Sequence, residues 1–181
     1  ASVAPKRGVG VDVSPKMTAL AASRHPELSF VAMDAGSLTL QEKFDYIICS
    51  DLVSYLPDVQ GAFMEIKKVA HDHTKVLITY TNFLWEPLLR FAEFTHLKMS
   101  SPAQNWLSAM DLENLLHLAG FEVVKRGEEI LLPINIPLVS YIVNRFIARL
   151  PLIRRLCLMR YVIAKPRQQV MREYTTSVII P

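Results

Sequence analysis

The 181-residue chain is long enough for one well-buried domain and too short for two ordinary ones. Its 51% hydrophobic and 20% charged residues exclude a disordered chain, and a net charge of +3 is too small to point to nucleic acid. The charge is uneven: from Lys125 onward ten basic residues stand against Glu128, Glu129 and Glu173, so the last third is a basic region.

Arg7 to Asp12 predicts a short buried strand ending in an acid. Ser14-Pro15 then supplies an N-cap with proline at the first helical position. Met17, Leu20 and Ala21 give that helix an apolar face, and His25-Pro26 stops it. Leu28 to Met33 predicts a second strand, followed by Asp34. Phe44 to Cys49 predicts a third, buried on both faces by its apolar run. A helix follows from about Asp58 to Ala70, with Val59, Ala62, Phe63, Ile66 and Val69 at helical spacing. His71, Asp72 and His73 read as a polar turn rather than a metal site, and Lys75 to Tyr80 as a fourth strand. Ser108 to Asp111 has the form of a capping box opening a helix through Leu118, which Gly120 ends. Phe121 to Leu132 and Leu156 to Ala164 predict the fifth and sixth strands. Strands alternating with helices at this pitch argue for an α/β fold with helices on both faces of a parallel sheet.

Cys49 and Cys157 lie far apart in apolar runs, which fits buried free thiols better than a metal motif or a disulfide framework. No signal peptide is visible, and no uncharged run reaches the roughly 18–20 residues of a membrane span.

In an open parallel sheet the ligand sits beyond the carboxyl ends of the strands. Asp12, Asp34, Ser50 and Asp51 all fall at such ends. A carboxylate there accepts hydrogen bonds from the vicinal hydroxyls of a ribose, or else caps the next turn.

These stretches resemble class I S-adenosylmethionine-dependent methyltransferases. Gly8-Val-Gly-Val-Asp-Val-Ser-Pro-Lys-Met17 resembles their second-strand motif, and Phe30-Val-Ala-Met-Asp-Ala35 their third. Phe44 to Asp58 is similar to the fourth-strand motif and its helix, and Trp106 to Val124 to the helix and strand that close the domain. The resemblance covers about residues 7 to 165. It implies a Rossmann-like, doubly wound, mostly parallel sheet with an antiparallel last strand. It also implies S-adenosylmethionine as cofactor, bound by Asp12, Val13, Met17, Asp34, Ala35, Ser50 and Asp51, with Asp12 at the ribose and Asp34 and Ala35 at the adenine.

The family opens with a strand and glycine-rich turn that nothing before Arg7 supplies, so residues 1–165 are expected to be a methyltransferase domain incomplete at its N-terminus. Glu173 to Pro181 resembles the opening strand of family 2 glycosyltransferases. Residues 166–173 are then a polar, basic linker and 174–181 the start of a following domain.

Residues after the fourth and fifth family strands would face the methyl acceptor: Tyr55, Tyr80, Asn82, Trp85, Glu86, His96, Asn105 and Trp106. No catalytic base is singled out. Tyr55 stands where many small-molecule members carry His, and the N/D-P-P-Y signature of base methylases is absent, so the acceptor is expected to be a small molecule, a glycan or a lipid-linked compound, with no nucleic acid partner. Two other readings stay open: a catalytically silent module serving a fused glycosyltransferase, and an NAD-dependent oxidoreductase. Pro137 to Leu150 carries an apolar stripe (Leu138, Val139, Ile142, Val143, Phe146, Ile147). Packing within the fold is its first reading, with peripheral contact of residues 137–155 on an anionic membrane as another. The expected location is the cytoplasm, with that region at the inner face of the membrane.

Overall fold

The computed structural model describes residues 5–97, 99, 104–130 and 150–168. Most of the expected 137–150 helix, and the whole of the expected glycosyltransferase-like strand, lie outside them. Along the described residues the order is β1 (Val9–Asp12), α1 (Pro15–Arg24), β2 (Ser29–Ala32), β3 (Phe44–Ser50), α2 (Val59–Lys68) and β4 (Ala70–Thr81). A 3-10 turn (Phe83–Trp85), α3 (Glu86–Phe94), α4 (Ala109–Leu118), β5 (Phe121–Glu129), α5 (Pro151–Arg154) and β6 (Met159–Pro166) complete it.

The strands form two sheets. β1 pairs in parallel with β2, Val9 opposite Ser29 and Asp12 opposite Ala32. The larger sheet has the order β3-β4-β6-β5. β3 and β4 are parallel, while β6 is antiparallel to both β4 and β5. Thus β3, β4 and β5 run one way and the last strand alone is reversed, which is the expected Rossmann-like α/β pattern.

Local chemistry explains the helix ends. The Ser14 hydroxyl accepts from Met17 N and starts α1 with Pro15 in the first turn. Asp58 caps α2 through Gly61 N, where a Cβ on Gly61 would run into the Asp58 carboxylate. Ser108 and Asp111 make the reciprocal capping box of α4, and the bonds from Ser108 hold the Asp111 carboxyl below its ordinary value. Gly120, at φ +80°, leaves α4 in the left-handed region that glycine enters without a Cβ clash. Gly10 serves another end: a Cβ there would meet the Phe30 ring across the β1–β2 pair.

The core sits on the larger sheet. Phe63 and Ile66 from α2, Leu112 and Leu116 from α4, and Val76, Ile78, Phe121 and Val162 from the strands are all buried. Ala35 and Leu38, in the β2–β3 connection, pack against this cluster and tie the smaller sheet's exit to it. Cys49 and Cys157 are buried and form no disulfide, and burial pushes the Cys49 thiol up to about 12.

Four expectations are corrected. β1 is not buried; its last two residues, Val11 and Asp12, are exposed. In α1 Met17 and Leu20 are exposed, and the buried residue is Thr18, whose hydroxyl satisfies itself on Pro15 O. β3 is not covered on both faces, because Tyr46 and Ile48 alternate outward at 69% and 54% exposure. Residues 71–73 belong to β4 rather than to a turn. The Thr74 hydroxyl, fully buried, donates to Phe44 O at 2.6 Å and accepts from His71 N, and His71 Nε2 meets Asp45 Oδ1 at 2.9 Å. These bonds hold the strand's early residues against the start of β3.

Candidate cofactor site

The acids converge on the carboxyl ends of the parallel strands through different local devices. Asp12 closes β1, where its carbonyl accepts from Met33 N at 3.0 Å and its Oδ1 accepts from Ser14 N at 2.8 Å. One carboxylate oxygen thus shapes the turn into α1, and the exposed group offers the other to a ligand hydroxyl. Asp34 repeats the arrangement: Oδ1 accepts from Gly36 N at 2.8 Å, and its carbonyl from Ser37 N. Val13 and Met17 stand exposed beside Asp12, whereas Ala35 is half-buried against the core. Apolar surface next to a carboxylate suits a nucleoside, whose ring packs while its ribose hydroxyls donate.

At the end of β3 the geometry changes. Ser50 is exposed, but Asp51 is half-buried and holds φ 52°, the left-handed region that few residues other than glycine, Asn and Asp occupy. Its N–H is fixed by Thr79 O and Thr79 Oγ1, both at 3.1 Å. Its Oδ1 accepts from Ser54 and Thr81 hydroxyls at 3.4 Å each. Burial pushes the Asp51 carboxyl up, and those two hydroxyls partly oppose it. A non-glycine residue held in strain by surrounding bonds is a recurrent feature of functional sites. The clamp of Thr79 and Thr81 has a signal in the sequence, since threonines at i and i+2 on a strand share a face.

The acceptor-side candidates separate into three groups. Tyr55 is exposed and its hydroxyl meets Gln104 Nε2. Asn105 donates to Leu56 O and its N–H to Ser54 O at 2.7 Å, so residues 104–106 are laced to the β3–α2 loop, and Trp106 is half-buried there. These lie on the rim beside Asp51. Tyr80 and Asn82 turn inward instead. Tyr80 is buried, and burial pushes its hydroxyl up while Arg160 partly offsets that. Asn82 is fully buried: its Nδ2 donates to Arg155 O and Cys157 O at 3.0 and 2.8 Å, and its Oδ1 accepts from Leu84 N. Trp85 donates from Nε1 to Leu156 O at 2.7 Å. Asn82 and Trp85 therefore staple the end of β4 to the chain before β6. His96 and Glu86 lie at opposite ends of α3, Glu86 paired with Arg90 at 2.7 Å, and the exposed His96 is separated from the strand end by roughly 14 Å of helix.

A groove of about 470 Å³, lined by Asp72, His73, Lys75, Glu122, Lys165 and Arg167, lies at the opposite end of the larger sheet. It belongs to none of these groups. Among the described residues no three His, Cys, Asp or Glu side chains are grouped to hold a metal ion.

A family model described as a methyltransferase domain matches residues 2–126, more than half of the chain. Among solved structures, an S-adenosylmethionine-dependent methyltransferase from Mesorhizobium loti is similar with TM-score 0.66 and 18% identity, over 88% of this chain and 80% of that one. A second S-adenosylmethionine-dependent methyltransferase, from Clostridium acetobutylicum, has TM-score 0.60 and 11% identity over 90% and 76%. Magnesium protoporphyrin IX methyltransferase from Synechocystis PCC 6803, solved with bound S-adenosylhomocysteine, has TM-score 0.57 and 15% identity over 88% and 63%. At these identities the structural likenesses establish the fold. No curated protein matches the sequence.

Proposed function

Because the chain belongs to the methyltransferase-domain family, we propose that it carries methyl transfer from S-adenosylmethionine to a small-molecule, glycan or lipid-linked acceptor. The observation that carries this reading is the pair of exposed carboxylates, Asp12 and Asp34, each spending one oxygen on its own turn and keeping the other for a ligand. That donor set fits a nucleoside cofactor without a 2′-phosphate. Asp12 binds the ribose hydroxyls, Val13 and Met17 pack beside it, and Asp34 with Ala35 takes the adenine edge. Ser50 and the strained Asp51 border the reacting end, where a carboxylate favours a positive charge. When bound, S-adenosylmethionine supplies an electrophilic methyl group on a sulfonium. The chain's own part is to hold acceptor and cofactor in line and to exclude water, the positioning that dominates such transfers. Tyr55, Asn105 and Trp106 border the acceptor side.

β1 and β3 each pair on one side only among the described strands. Each therefore offers a free edge, among the described strands, to the further parallel strand and glycine-rich turn that the resemblance implies for the cofactor's cradle. The wording of Ser177 to Pro181 supports a following glycosyltransferase domain, and the coding sequence past Pro181 tests it.

Calorimetric titration of the natural full-length polypeptide with S-adenosylmethionine and, separately, with NAD tests the reading. Binding of the first alone is expected, weakened in Asp34→Ala. Binding of NAD alone would replace methyl transfer with hydride transfer. Binding of neither would favour the silent-module reading.

A further inference from the structure

α3 is an amphipathic helix whose better apolar face is exposed. The segment Glu86–Phe94 contributes no buried residue at all. Leu89 and Ala92 are half-buried on its inner side, while Leu88, Phe91 and Phe94 point away at 55%, 61% and 82% exposure, followed by Leu97 at 83%. Spacings of three along a helix put these side chains on one stripe. Two exposed phenylalanines and a leucine on one short helix, with Leu97 just past its end, exceed the scattered apolar residues of an ordinary surface.

What lies next to that stripe decides its occupant. Asn82 and Trp85, at the base of α3, are bonded to the backbone of Arg155, Leu156 and Cys157. Leu156 is 52% exposed there, and Leu158 N holds Ile130 O. Arg154 pairs with Glu128 at 2.9 Å, but no carboxylate among the described residues lies within ion-pair distance of the exposed Arg155. The sequence from Ile130 to Arg172 contains eight basic residues, of which Arg154 and Arg155 adjoin this surface, and no acid. An aromatic and leucine-rich face with the exposed Arg155, which has no carboxylate partner among the described residues, near its base complements an anionic bilayer surface, where apolar side chains enter the acyl boundary and an arginine meets lipid phosphate. No helix among the described residues is long and apolar enough to cross a membrane.

We propose that the outer face of α3, with Leu156 and Arg155 beside it, seats the protein on an anionic lipid bilayer. α3 follows the carboxyl end of β4, the strand that runs parallel to β3 and ends beside Asp51. The base of the seated helix therefore lies at the same strand ends as Asp51, which suits a membrane-borne acceptor. That corollary rests on the methyl-transfer reading; the seating itself does not, so each can fail without the other.

The test is co-sedimentation of the full chain with vesicles of phosphatidylcholine alone and of phosphatidylcholine with phosphatidylglycerol. Binding to the anionic vesicles, weakened by added salt, is expected, with little on the neutral ones. Phe91→Glu together with Phe94→Glu should lower the bound fraction by roughly tenfold or more, since each lost phenylalanine insertion is worth about a factor of ten. Its circular dichroism and melting temperature should stay as in the parent. Arg155→Gln gives a second, smaller loss that no refolding argument explains. Equal binding by wild type and the double variant overturns the proposal. So does a double variant that unfolds when the wild type never binds vesicles, since the face then packs within the chain. A wild type that dimerises through this face by sedimentation velocity, without vesicle binding, makes the occupant a second copy and overturns it too.

Discussion

The two sheets divide the labour of the molecule. Every buried member of the core cluster lies between Cys49 and Ala164, on β3 to β6, the helices α2 and α4 packed against them, the β3–α2 loop and the residue that ends α4. The β1–α1–β2 unit buries only Thr18, yet it carries Asp12 and Asp34 on exposed turns. A two-stranded sheet is marginal by itself. Packing and exposed carboxylates thus fall to different stretches of this chain: one side spends its side chains on the core, and the other keeps its carboxylates and apolar surface open.

The comparison is sharpened most by a pair of truncations. Phe121→Ala, in the larger sheet's core, should cost about 3–5 kcal/mol of unfolding free energy by chemical denaturation. Leu20→Ala, on the exposed side of α1, should stay within about 0.5 kcal/mol. Equal costs would abolish the division. Asn82→Ala comes next, with a loss of about 1–3 kcal/mol, because the carbonyls of Arg155 and Cys157 lose the buried Asn82 amide that donates to both. A cofactor affinity that falls while stability holds would instead return Asn82 to the site.

The smallest effect concerns Asp51 and acidity. Its folded carboxyl is raised above the unfolded one, so it contributes stability below the ordinary carboxylate range and loses that contribution as pH rises through the raised value. Asp51→Asn keeps a side chain that tolerates φ 52° and removes the titration. The variant's stability should therefore gain on the wild type between acid and neutral pH, measured by denaturant midpoints across that range. A difference that stays constant with pH would show that Asp51 does not titrate in this way.

How much of this was legible in the sequence varies with the physics of each element. The Ser14-Pro15 start of α1, the capping box of α4 and the glycine exit at Gly120 were readable because they are set by neighbouring backbone groups. The order of strands and the acids at their ends were readable from spacing. The facing of Tyr46 and Ile48 was not, since an apolar run cannot say whether a second layer covers it. Nor was the extension of β4 to Ala70, which depends on Thr74 reaching Phe44 and His71 reaching Asp45, partners nearly thirty residues away. Asn82 looked like a site residue because polar residues after a strand often are. Its burial depends on two carbonyls more than seventy residues further on.

The central claim is that Asp12 holds the cofactor without holding the fold. Its most direct test is calorimetric titration of S-adenosylmethionine into the natural full-length polypeptide and into its Asp12→Ala variant, with the unfolding midpoint of each measured alongside. The account predicts affinity lower by about 1–3 kcal/mol, roughly 5- to 150-fold, from the ribose hydroxyls left without an acceptor. It predicts a midpoint shift no larger than the loss of one exposed turn bond. Unchanged affinity in the variant would contradict it.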